Sequence, residues 1–185
     1  MKRLFIMFLA ALVLGSFAAG ALALDLSGEF LNKTGKTVTK GKIFLSENKA
    51  RMESMGSVMI LRMDKKVVWM LMPKQKMFIE QVMESKKSVG LSNKVEGETK
   101  REKLGEETVN GMKCDKFKVT FKTGDKTETV LQWISKEFSF PVKTASPDGK
   151  WSMEFTKLSK APQPGSLFEV PSGFKKMAFK MPAGM

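Results

Sequence analysis

Apolar and polar side chains take turns along much of the second half of the chain. Between 114 and 123, Phe117, Val119 and Phe121 alternate with Lys116, Lys118, Thr120 and Lys122. Between 150 and 156, Trp151, Met153 and Phe155 alternate with Lys150, Ser152, Glu154 and Thr156. A period of two marks a strand with one buried and one wet face, so both segments are predicted strands. The first half reads differently. Val58-Met59-Ile60-Leu61 and Val67-Val68-Trp69-Met70-Leu71-Met72 are apolar at successive positions. Antiparallel strands of that kind are buried on both sides and need a cover on each: helices, a partner protein or a bound apolar ligand.

Turn signals divide these runs at short intervals. Ser46-Glu47-Asn48-Lys49, Met55-Gly56-Ser57, Asp64-Lys65-Lys66 and Pro73-Lys74-Gln75-Lys76 punctuate the first half. Asn110-Gly111, Gly124-Asp125 and Pro147-Asp148-Gly149 punctuate the second. Asn110-Gly111 is a two-residue hairpin signal, because both residues tolerate positive φ. The spacing predicts an antiparallel meander, a mainly β (α+β) chain. Helix is confined to 81–92, where a short helix or lid is expected, weakened by Gly90. Ala161-Pro162-Gln163-Pro164-Gly165 predicts a rigid turn into the final segment, which is rich in Lys and Met and expected to fray at its end.

Residues 1–23 follow neither pattern. Lys2 and Arg3 precede an apolar run from Leu4, which closes on Ala21-Leu22-Ala23. That is the layout of a cleaved secretory signal peptide. Its small, weakly hydrophobic second half favours cleavage over an uncleaved anchor. The expectation is a periplasmic mature chain starting near Leu24, with 24–185 forming one domain around a single core. The only cysteine, Cys114, excludes both an intrachain disulfide and a lipid-anchoring cysteine behind the leader. On a predicted strand it reads as a small buried hydrophobe, with an intermolecular disulfide as the alternative.

Charge and composition then narrow the function. The chain carries 32 basic and 19 acidic residues, a net charge of +13, which falls to +11 if Lys2 and Arg3 leave with the signal peptide. Outside the cytoplasm the matching polyanion is an anionic membrane surface, lipopolysaccharide or acidic polymer rather than nucleic acid. The competing explanation is that scattered lysines keep a β-rich protein soluble and its edges unpaired. Histidine and tyrosine are absent. That removes the commonest general base and the usual exported zinc ligand, and no nucleophile or phosphate-loop motif replaces them. The expectation is a protein that is not an enzyme and needs no cofactor.

Methionine is over-represented, with 15 residues, and Met52, Met55, Met59, Met63, Met70, Met72, Met77 and Met83 crowd one stretch. Thioethers suit Cu(I), so a Met-rich Cu(I)-binding protein is one reading. Ordinary core filler is another. The third is an adaptable lining for apolar ligands, since Met is flexible and polarizable.

Several segments resemble LolA-like periplasmic proteins in order along the chain. The resemblance runs through Lys40-Gly41-Lys42-Ile43-Phe44-Leu45, Lys49-Ala50-Arg51-Met52-Glu53, the run from Ile60 to Pro73, and Lys76-Met77-Phe78-Ile79-Glu80. It continues through Val109 to Phe117, Leu131-Gln132-Trp133-Ile134-Ser135, Phe140-Pro141-Val142-Lys143 and Leu167 to Phe174. It is closest to a branch of small secreted proteins of unestablished role. The resemblance implies an incomplete antiparallel β-barrel, a half-barrel around a hydrophobic cavity, with a short helix or lid. It also implies a lipid or acylated protein as partner. Two departures argue against a carrier-type lid and release mechanism. The hairpin Ser46-Glu47-Asn48 lacks the basic residue of the carriers, and Leu24 to Phe30 reads as a strand where carriers have a helix. On this basis Met59, Leu61, Val68, Met70, Phe78, Phe117, Phe121, Trp133 and Phe155 are the expected ligand lining, with Arg51 and Arg62 at the rim facing anionic headgroups. The alternative from a different class is an envelope sensor or assembly partner that uses the apolar strands as an interaction surface.

Overall fold

The computed structural model describes residues 25–83 and 93–177. The first half supplies β1 (Leu26–Thr34), β2 (Thr37–Ser46), β3 (Lys49–Ser54), β4 (Ser57–Arg62), β5 (Val67–Met72) and β6 (Met77–Val82). The second supplies β7 (Glu98–Val109), β8 (Met112–Thr123), β9 (Lys126–Ser135), β10 (Phe140–Ala145) and β11 (Trp151–Lys160), followed by the short β12 (Lys175–Lys176). All belong to one 12-stranded sheet in the order β12-β6-β5-β4-β3-β2-β1-β11-β10-β9-β8-β7. Two antiparallel meanders thus meet at β1, which pairs with β2 on one side and β11 on the other. The sheet stays open, with β7 at one edge and β12 added in parallel to β6 at the other. This is the incomplete barrel expected from the resemblance. The signal peptide expected over 1–23 lies outside the described residues. So does 84–92, the larger part of the expected helix or lid, while Gln81 and Val82 end β6. Helical turns among the described residues are short and 3₁₀, at Pro73–Gln75 and Gly165–Phe168.

Local chemistry explains the tight corners. Asn110 and Gly111 both take positive φ, 50° and 81°, as a hairpin turn matching the strand twist requires. The described residues also open with a strand, β1, where the sequence predicts one. At the junction of the meanders, Gly28 faces two residues of β11, Lys157 and Leu158, in a β-bulge. A side chain at Gly28 would lie 2.9 Å from the Thr156 carbonyl oxygen, so the bulge favours glycine there.

Cross-strand register fixes the two faces of the first meander. The row Leu26–Leu45–Ala50–Leu61–Val68 shares one face, and so does Ile43–Met52–Met59–Met70–Ile79. We call this the inner face, because it meets the main core. That core gathers Leu26, Phe30, Ile43, Leu45, Ala50, Met52 and Leu61 with Cys114, Trp133, Phe138, Phe140, Val142, Met153 and Phe155. Phe140 and Phe155 meet at 5.3 Å in a tilted aromatic pair. Phe30 lies opposite Gly41 and lays its ring over it.

A side chain at Gly41 would stand 2.1 Å from the Glu53 carbonyl oxygen and 2.5 Å from the Phe30 ring. Neither the backbone nor the buried ring can move aside cheaply. Gly41→Ala is therefore expected to destabilise the fold by about 2–3 kcal/mol, read as a lower urea midpoint with an unchanged slope.

Candidate functional site

The inner face changes character from the middle of the sheet to the β6 edge. Ile43 and Met52 are buried, whereas Met59, Met70 and Ile79 in the same row are half-buried. Met72 and Met77 sit opposite one another on the same face and are half-buried too. Val68 completes a strip of unbranched and branched apolar side chains across β4, β5 and β6. Thioethers dominate it, and they carry no hydrogen-bonding demand that would fix a single partner shape.

The outer face of the same strands is covered by the chain itself. Val58, Ile60, Trp69 and Leu71 form a second core with Phe168, and Phe44, Val67, Phe78, Leu167, Val170 and Phe174 pack against it. A strap formed by 165–177 therefore supplies the second cover that the two-sided strands demand. Two arginines hold it. Arg51 donates from Nη1 to the Leu167 carbonyl at 2.9 Å and pairs with Glu53 through Nε at 2.7 Å. Arg62, only 5% exposed, donates to the Phe168 carbonyl at 3.1 Å. It makes a two-pronged contact with Asp64, at 2.8 and 2.6 Å, and a further ion pair with Glu169. Lys65 reaches Glu169 at 3.2 Å. At the far end, Glu80 accepts from Trp69 Nε1 at 2.8 Å and pairs with Lys176 at 2.6 Å.

These contacts set the protonation states. Hydrogen bonds from Arg62 hold the Asp64 carboxyl below the usual aspartate range. Burial pushes the Glu169 carboxyl up, but Arg62 and Lys65 together pull it further down, so it stands below the glutamate range. The Glu80 carboxyl is lowered by Lys176 and then by Trp69. The Arg62 guanidinium is correspondingly raised. Glu169, the strap's carboxylate, is thus charged to suit Arg62 and Lys65.

The residues expected to line a ligand do not form one surface. Leu61, Trp133 and Phe155 lie in the main core, with Met59 and Val68 packed against it. Met70 shares the inner face with Met59, its cross-strand partner. Phe117 and Phe121 belong to a separate small cluster with Val95, Val119 and Val130. Phe78 is on the outer face beneath the strap. Arg51 and Arg62 correct the expectation of a free basic rim, because both guanidinium groups are committed to the strap. Their positions in the strands are those the sequence predicts; the carbonyls they bind come from more than 100 residues later. Phe168, Glu169 and Leu167 were the residues that pattern reading missed. The available signal was the need of β4 and β5 for a second cover. Met72, Met77 and Ile79 join the inner strip by register.

Other candidates settle quickly. Cys114 is buried, its thiol donates to the Met112 carbonyl at 3.2 Å, and burial raises its pKa. That is the small-hydrophobe role, not an exposed redox thiol. No group of three or more His, Cys, Asp or Glu among the described residues is placed to hold a metal ion. Among the described residues no helix is long and apolar enough to cross a membrane.

An open, curled antiparallel sheet with an apolar inner face defines the LolA-like class of fold, and this chain has it. Residues 19–139 match the domain of unknown function DUF4412, and the chain belongs to that family. Among solved structures it is similar to MucB, with a TM-score of 0.54 at 12% identity, covering 82% of this chain and 60% of that one. The Pseudomonas aeruginosa MucA/MucB complex superposes with a TM-score of 0.51 at 13% identity, over 77% of this chain and 54% of that one. The LolA superfamily protein NE2245 from Nitrosomonas europaea gives 0.38 at 11% identity, over 78% of this chain and 89% of that one. The chain thus spans less than two thirds of the MucB chains it matches. Among curated proteins none matches its sequence.

The contacts of Arg62 with Asp64 and Glu169 make the strap sensitive to acid. A carboxyl whose folded pKa is depressed contributes fully above its ordinary value, 3.8 for Asp64 and 4.5 for Glu169, and loses that contribution as pH falls through the folded value. Stability measured by urea unfolding should therefore fall as pH drops below about 5, and Arg62→Leu should flatten that loss. At neutral pH the same variant should cost about 2 kcal/mol, because Asp64 and Glu169 remain partly in water once Arg62 is gone. In a separate test, Cys114 should resist iodoacetamide in the native protein and react once the chain is unfolded.

Proposed function

We propose that the protein is a non-enzymatic periplasmic binder of an acyl chain, taken from a lipid or an acylated protein, against the inner face of β4, β5 and β6. One observation carries this reading. The outer face of these strands is sealed by the strap, yet on the inner face Met59, Val68, Met70, Met72, Met77 and Ile79 stay half-buried among the described residues. Such a strip is stabilised when apolar matter displaces water from it. Each methylene transferred is worth roughly 0.8 kcal/mol, so a chain of several methylenes outweighs the cost of ordering it. Leu61 and Phe155 form the packed floor behind the strip rather than its surface. Flexible thioethers accept chains of different length and branching. The signal-like 1–23 segment and the lack of histidine and tyrosine support export and binding without catalysis.

A second reading places a protein segment on the same strip. It draws on the fold shared with MucB, which is known in complex with MucA(peri). The two readings differ in what copurifies.

Native mass spectrometry of protein released gently from the periplasm, followed by organic extraction, is expected to show a lipid-sized adduct. A fluorescent fatty acid should bind the delipidated protein, and Met70→Glu should weaken that binding at least about tenfold, because a carboxylate would be buried against the chain. Bare protein with no fatty-acid uptake would overturn the acyl reading, and a stable copurifying polypeptide would replace it with the second.

A further inference from the structure

The outer face of β11, β1 and β2 has an unbalanced charge. Register places Lys33, Lys40 and Lys42 on that face, alongside Leu31, Val38 and Phe44. Every carboxylate there is already held by a cation: Glu29 by Lys157 at 3.0 Å, Glu53 by Arg51 at 2.7 Å and Glu154 by Lys143 at 2.9 Å. Lys33, Lys40 and Lys42, with Lys36 in the adjoining turn, are exposed and have no ion-pair partner among the described residues. Three positive charges are left uncompensated on one sheet face, and Lys36 adds a fourth in the turn at its end. Between them Val38 is 52% exposed. Beside it an open depression of about 420 Å³ is lined by Phe30, Leu31, Gly41 and Thr156 together with Lys40, Lys42 and the Lys157-paired Glu29.

We infer that this face docks the protein onto an anionic phospholipid surface. Charge complementarity is the first reason, since lysine ammonium groups beside a negatively charged bilayer favour the bound state by roughly fivefold each. The residue types are the second. Arginine forks, which suit fixed bidentate phosphates, are absent from the uncompensated set; Arg51, Arg62 and Arg101 are all engaged within the chain. Lysines are point charges on long flexible stems and fit a laterally mobile, diffuse layer of headgroups. Exposed Val38 and half-buried Leu31 and Phe44 add the apolar component that an interface with lipid accepts and a soluble polyanion does not. The docking face lies on the opposite side of the sheet from the methionine strip, so docking and ligand uptake are separable.

The test is co-sedimentation of protein recovered from the periplasm with vesicles of phosphatidylglycerol and phosphatidylcholine in equal parts, compared with phosphatidylcholine alone. Binding is expected only to the anionic vesicles, falling steeply between about 50 mM and about 300 mM salt. Lys40→Glu with Lys42→Glu should weaken it at least about 25-fold. The charge-matched control, Lys122→Glu with Lys126→Glu on the exposed β8–β9 hairpin, should weaken it by no more than about fivefold. Both double variants should still take up the fluorescent fatty acid, which separates failure here from failure of the binding function. Equal losses in the two variants, equal binding to neutral vesicles, or Lys40- and Lys42-dependent binding to polyglutamate without binding to vesicles would each overturn the inference.

Discussion

The burial of Phe168 on the outer face of β4 and β5 is the contact on which the rest of the first meander depends. Without it, Val58, Ile60, Trp69 and Leu71 would face water on a sheet whose other side is also apolar. The strap carrying Phe168 has little regular structure of its own, and its backbone carbonyls need partners. Arg51 and Arg62 supply them, which is why two long cationic side chains stand among apolar neighbours on the outer face of β3 and β4. Hydrophobic burial provides the driving force, and the guanidinium groups set where the strap lies. Because the outer face is sealed, the half-buried inner strip stands out as the less covered apolar surface of these strands among the described residues.

Much of this was legible from residue order. The alternation in β8 and β11, the turn at Asn110-Gly111 and the strand at the start of the described chain all follow from period and turn chemistry. The unbroken apolar runs in β4 and β5 correctly demanded two covers. The identity of the second cover was not legible, because it joins residues separated by more than 100 positions and its signal is four apolar residues, Leu167, Phe168, Val170 and Phe174, spaced through a segment with Pro and Gly. The same gap explains the arginines. Sequence places Arg51 and Arg62 beside hairpins, where a basic rim is the natural reading, and cannot reveal that a carbonyl arrives from the far end of the chain.

Facing was the other limit. A strand apolar at every position gives no phase, so Phe78 and Met70 looked equivalent although they lie on opposite sides of the sheet. Where polar residues interrupt the run, as in β2, the phase is clear: Ile43 and Leu45 point inward and Lys40 and Lys42 outward. The lysines therefore do more than raise net charge. They mark which face of the first two strands was never meant for the core, while Gly105 and the bulges of β7 keep the long opposite edge irregular and poor at pairing with other chains.

The strap's place in the chain has a temporal consequence. Polypeptides are made from the N-terminus, so β4 and β5 exist in full long before Phe168 does. Throughout that interval the nascent meander presents an uncovered oily surface, and no disulfide is available to hold it in shape. A stretch made more than 100 residues later is the one that covers the first half. Truncation shortly before the strap would leave Val58, Ile60, Trp69 and Leu71 without their cover for good.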